Sequence, residues 1–116
     1  MNNEEITLAH ERLDVYQRAI DFLALATTIT ETLPARSVLV DQLNRASLSI
    51  PLNIAEGASK PNGSADAKRF YNIARGSAME CGAILDSLKI MKKIDEPTFR
   101  QGKHLLIRIV SMLTKM

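Results

Sequence analysis

The chain has no tryptophan, and only 4 % of its 116 residues are aromatic. A core made from it must be aliphatic, filled by Leu, Ile, Ala and Met. That suits packed helices better than a β-sandwich, which draws on β-branched and aromatic residues. Cys81 is the only cysteine, which excludes an intrachain disulfide and a cysteine-based zinc site. Its simplest role is that of a small buried hydrophobe within a helix. No apolar run approaches the roughly 18 residues needed to span a membrane, so no membrane partner is expected. The opening MNNEEITLAHERL lacks the basic stretch and apolar run of a secretory signal, and a cytoplasmic location is expected.

Catalytic chemistry is equally sparse. His10 and His104 are the only histidines, and the Glu-x-x-His motif of di-iron bundles does not occur. No glycine pattern for cradling nucleotide phosphates is present, and PNGS at 61–64 reads as a turn. Ser47, Ser49 and Ser77 have no histidine base in view, so nothing would activate a serine nucleophile. The expectation is a protein that is not an enzyme, with no catalytic residue, no cofactor and no metal.

What is present is helical period. Hydrophobic residues make up 46 % of the chain, enough for a folded core, and the length fits a single domain over residues 1–116. Breaks fall at Pro34–Ser37, Ser59–Ser64 and Asp95–Pro97, leaving four segments with a period near 3.6. The first runs from Leu13 to Leu33 and carries two adjacent apolar stripes, wider than one core requires. The second runs from Val38 to Ala58, with Ser37 as N-cap and Leu39, Leu43, Ala46, Ile50 and Ile54 as its core line. Pro51 is expected to project from the far side and to kink it. The third follows Ser64, its N-cap, with Phe70, Ile73, Ala74, Ser77, Cys81, Ile84, Leu88 and Met91 on one face. The fourth starts at Asp95 as N-cap, with Pro97 tolerated in its first turn and Phe99, Gly102, Leu105, Leu106, Ile109, Val110, Leu113 and Met116 on its apolar face. Short connections between helices of similar length predict an all-α, up-down-up-down antiparallel four-helix bundle. The surplus apolar surface predicts that the bundle assembles with itself.

Two polar features stand out. In the second helix Gln42, Arg45, Ser49, Asn53 and Glu56 lie within about 80° of one another, between the core line and Leu48 and Leu52. A polar line so placed is expected to be at least partly buried, and buried charge needs partners. The third helix offers them at matching spacing. If the two helices fold back about 59–64, Arg45 faces Glu80, Glu56 faces Arg69, Asn53 faces Asn72 and Ser49 faces Gly76. The reading is a structural polar network of Arg45, Ser49, Asn53, Glu56, Arg69, Asn72 and Glu80. Each carboxylate would then sit beside an arginine and stay ionised, which argues against Glu56 and Glu80 as an acid/base pair.

The second feature is charge. Residues 1–32 hold Arg12 and Arg18 against Glu4, Glu5, Glu11, Asp14, Asp21 and Glu31, while the remainder is net basic. In the fourth helix Arg100, Lys103, His104, Arg108 and Lys115 share the face away from the core, and Lys89, Lys92 and Lys93 crowd the preceding turn. Arg100, Lys103, Arg108 and Lys115 are therefore candidate nucleic-acid contacts. With no aromatics interleaved to stack bases, such binding of RNA or DNA would be directed at the backbone.

The segments LDVYQ (13–17), QLNRASLSIPLNIAEG (42–57) and RFYNIARGSAMECG (69–82) resemble the four-helix bundle proteins of 23S rRNA intervening sequences. The resemblance implies a homopentamer and transfers no catalytic residue. A more distant relative is the accessory protein of diversity-generating retroelements, a basic pentamer that binds a reverse transcriptase and nucleic acid. Two functions follow from it. One is a non-catalytic oligomeric scaffold that binds RNA, or an RNA-handling protein, through basic surfaces. The alternative is a retroelement accessory subunit whose partner is a reverse transcriptase.

Overall fold

Three side-chain caps begin three of the helices. The computed structural model describes residues 8–116; Glu4 and Glu5 of the acidic opening segment lie outside the described residues. A 3₁₀ turn at Ala9–Arg12 leads into α1 (Asp14–Glu31), followed by α2 (Val38–Ala58), α3 (Ala65–Ile90) and α4 (Glu96–Thr114). Ser37 Oγ accepts the amide of Leu39, Ser64 Oγ that of Ala67, and Asp95 Oδ1 that of Thr98. Each cap satisfies one of the amides that a helix start leaves without a partner. Among the described residues there is no strand.

The helices form a ring of neighbours. α2 packs most extensively on α3, α3 on α4, and α1 on both α2 and α4. The diagonal pairs, α1 with α3 and α2 with α4, do not approach within 8 Å between Cα atoms. Four helices around a square leave one central seam, and the aliphatic side chains fill it. Val15, Ala19, Phe22, Ala26 and Ile29 come from α1; Leu43, Ala46, Ile50 and Ile54 from α2; Ala74, Ala78, Cys81, Ile84, Leu85 and Leu88 from α3; Leu106, Ile109 and Leu113 from α4.

Three expectations need correction. Pro51 does not project outward: it is buried, and α2 continues through it as a single helix. Burying the ring takes apolar surface out of water, which offsets the one backbone donor that a proline inside a helix lacks. Ile73 and Met91 were expected in the core face of α3 but are 43 % and 51 % exposed. α3 ends at Ile90, and Lys92 takes a φ of 58°. Lys93 N–H reaches back to Leu88 O at 2.8 Å, the closure of a left-handed helix cap.

Candidate functional site

The polar stripe of α2 survives only at its centre. Ser77 Oγ on α3 donates to Ser49 Oγ on α2 at 2.8 Å. Asn53 Nδ2 donates to Ser49 Oγ at 3.0 Å and to Ser49 O at 2.9 Å. Ser49, Asn53 and Ser77 are all half-buried, so this three-residue link is shielded on one side. Ser49 therefore meets Ser77 rather than Gly76. Closer to the turn, a Cβ on Gly57 would lie 2.6 Å from the Tyr71 ring, so glycine admits that ring against the α2 backbone.

The expected charged rungs are replaced by local pairs. Arg45 Nε lies 3.3 Å from Asp41, Glu56 lies 3.8 Å from Lys60, and Arg69 Nη2 lies 3.3 Å from Asp66. None of these crosses from α2 to α3, and Glu80 has no ion pair among the described residues. Arg45 is 80 % exposed at its side chain, and Glu56, Arg69, Asn72 and Glu80 are exposed as well. In water a carboxylate one turn away on the same helix suffices, and holding two long side chains across a helix seam gains little. Arg69 also lies over the Phe70 ring, 4.5 Å from its centroid. Among the described residues, no atom beyond its own stretch of helix lies within 4 Å of the position a Cβ on Gly76 would take. Close approach of α2 is therefore not its reason for being glycine.

The four candidate cations of α4 divide in two. Arg100 pairs with Glu96 at 3.2 Å, and Lys103 with Asp86 at 3.0 Å, the latter bridging α4 to α3. Lys89 bridges to Glu96 at 3.2 Å and lies over the Phe99 ring. Two basic neighbours hold the Glu96 carboxyl below its usual range, chiefly by hydrogen bonds from Lys89 and Arg100. Arg108 and Lys115, by contrast, are exposed and have no carboxylate within 4 Å among the described residues. Two cations outside the expected set belong beside them. Arg75 on α3 spends its Nε on Thr114 Oγ1 at 2.9 Å, across the seam with α4. Arg18 on α1 lines the same groove as Arg108 and His104. Sequence spacing within α4 cannot find Arg18, because the groove is made only when α1 and α4 pack.

Nothing in this arrangement forms a metal centre: among the described residues no three His, Cys, Asp or Glu side chains gather. Cys81 is fully buried, and burial, reinforced by the neighbouring Glu80 charge, pushes its thiol up to about 12. It is inert as a nucleophile near neutral pH. No helix among the described residues is long and apolar enough to cross a membrane.

The family model of the 23S rRNA-intervening sequence proteins matches residues 11–115, nearly the whole helical ring. The chain belongs to that family. Among curated proteins none matches the sequence. A solved crystal structure of similar fold is that of a protein of unknown function from the S23 ribosomal protein family of Bacteroides thetaiotaomicron VPI-5482. It superposes with a TM-score of 0.80 at 22 % identity, covering 87 % of this chain and 95 % of that one. At that identity the likeness speaks for the fold. For this chain the four-helix architecture therefore rests on both sequence and shape.

Proposed function

We propose that the protein is a non-catalytic scaffold: an up-down-up-down bundle that assembles with itself and holds nucleic-acid backbone on basic faces. The topology is supported by pairs that recede from each turn together. Gly57 meets Tyr71 near the α2–α3 turn and Ser49 meets Ser77 farther from it. Lys89 meets Glu96 near the α3–α4 turn, Lys103 meets Asp86 farther out, and Arg75 meets Thr114 farthest.

The observation that carries the assembly is the space over Gly76. A mid-helix glycine costs roughly 0.5–1 kcal/mol relative to alanine, and nothing outside its own helix among the described residues fills the space its missing side chain leaves. Ile73 and Met79 on the same helix are exposed, as are Leu48 and Leu52 on α2. A second copy packing closely over Gly76 would cover them and give the glycine a purpose. A cyclic arrangement uses two different faces of one chain, and five copies is the number the family resemblance implies. The unpaired Arg108 and Lys115 supply the polyanion contact, multiplied by the number of subunits.

Light scattering coupled to size exclusion tests the assembly: a discrete oligomer at micromolar concentration is expected, and a stable monomer refutes it. Fluorescence anisotropy with structured RNA at about 50 mM salt tests the ligand, with affinity falling steeply as salt rises because counterions are released. Absence of binding there refutes the nucleic-acid reading.

A further inference from the structure

Between α1 and α4 runs an open groove of about 780 Å³. Arg18, Asp21 and Thr28 line it from α1, and Gln101, His104 and Arg108 from α4. Two arginines thus line one groove from opposite helices, with an imidazole and an amide able to donate hydrogen bonds into it; the Thr28 hydroxyl already donates to Leu25 O at 2.7 Å. The two guanidinium groups are unequally neutralised. Arg108 has no carboxylate within 4 Å among the described residues. Arg18 ion-pairs with Asp14 through Nε, which lies 3.5 Å from Asp14 Oδ1, but the contact is not a hydrogen bond and the buried Nε has no other partner among the described residues. A buried donor without a partner is costly, and like charges facing across a groove repel. The charge repulsion falls when an oxyanion enters. Asp21 is the one opposing group on the lining, and it ion-pairs with neither arginine.

We infer that the α1–α4 groove is a phosphate-binding site, with Arg18 and Arg108 as its two arms and His104 and Gln101 as further donors. It shares only Arg108 with the cation row read from α4 itself. Arg100 and Lys103, already held by Glu96 and Asp86, lie outside it. The phosphate comes either from a nucleic-acid backbone, in which case the site rests on the nucleic-acid reading above, or from a small phosphorylated molecule. Guanidinium groups suit both, because each can offer paired N–H donors to one phosphate.

The experiment uses the full chain with two probes, a labelled structured RNA and inorganic phosphate. RNA binding is read by anisotropy at several salt concentrations. Phosphate binding is read by the ring signals of His104, one of only two histidines in the chain. Arg108→Gln alone and Arg18→Gln with Arg108→Gln are compared with Arg100→Gln/Lys103→Gln. The expected result is at least a tenfold loss of RNA affinity in the Arg18/Arg108 pair and a salt slope reduced by about one per arginine. The Arg100/Lys103 pair should stay within about threefold, and Asp21→Asn should tighten binding. Arg108 is exposed, so its single variant keeps the test valid if the double variant folds poorly. RNA binding by all variants with wild-type affinity, together with no phosphate shift of His104 that depends on Arg108, overturns the site while leaving the nucleic-acid reading in place. No RNA binding by wild type, but phosphate shifts of His104 that vanish in Arg108→Gln, upholds the site for a small phosphate and removes the nucleic-acid reading. No response to either probe overturns both.

Discussion

Lys92 is the one non-glycine residue with positive φ among the described residues. A side chain in that conformation carries a Cβ penalty that glycine avoids. Lys92→Gly is therefore expected to stabilise the fold by about 1 kcal/mol, because the native geometry already suits glycine. Lys92→Ala should give no such gain, and urea denaturation of the two variants separates the outcomes. Cys81 gives a second expectation at this scale. Its folded thiol is raised from 9.0 to about 12 by burial. Between those values the unfolded chain releases a proton that the folded chain keeps. The Cys81 contribution is thus fully present below about pH 9 and is lost as pH rises towards 12. The slope is at most about 1.4 kcal/mol per pH unit. Cys81→Ala should flatten the part of the alkaline stability loss that begins near pH 9, measured by denaturant melts from pH 8 to 10.

At the scale of elements, the α2–α3 seam is held by the Ser77–Ser49–Asn53 link and by the fit of Tyr71 on Gly57. Ser77→Ala removes a half-buried donor and should cost about 1 kcal/mol; a Ser49→Ala/Ser77→Ala cycle should show coupling, since the two hydroxyls touch. Glu80→Gln should change stability by less than about 0.5 kcal/mol, because Glu80 is exposed and has no ion pair among the described residues. These elements also show how far the sequence could be read. The limits of α2 and the caps at Ser37, Ser64 and Asp95 were legible because cap chemistry is local, decided by a hydroxyl or carboxylate and an amide two or three residues on. The core lines of α2 and α4 were legible because apolar period is a property of one helix. The charged rungs of the polar stripe were not. Spacing cannot tell a partner across the seam from Asp41, Lys60 or Asp66 one turn away, and the local partner loses less side-chain freedom. The pairing of Gly76 with Ser49 was misread for a related reason: a missing side chain permits a close approach, but it does not say that α2 makes one.

For the whole molecule, glycines separate folding from assembly. Gly57→Ala should destabilise the chain, because a Cβ there meets three atoms of the Tyr71 ring at 3.0 Å or less. Overpacking of this kind costs about 1–3 kcal/mol, above the helix-propensity gain. Gly76→Ala should do the opposite and stabilise the folded monomer by roughly 0.5–1 kcal/mol, since it fills open space in a helix. If a second copy closes over Gly76, the same substitution should weaken the oligomer. A variant that melts later as a monomer yet dissociates sooner is the expected signature, read by calorimetry and by light scattering on dilution. The Gly57 contact has an optical consequence as well. With no tryptophan to dominate the near ultraviolet, the two tyrosines are the chromophores of this protein. Tyr16 stands edge-on to His10 at the entrance to α1, while Tyr71 lies against bare backbone in the α2–α3 seam. In a Tyr16→Phe background, ultraviolet circular dichroism from tyrosine would report one seam alone, so the parting of α2 from α3 can be followed in time without attaching a dye.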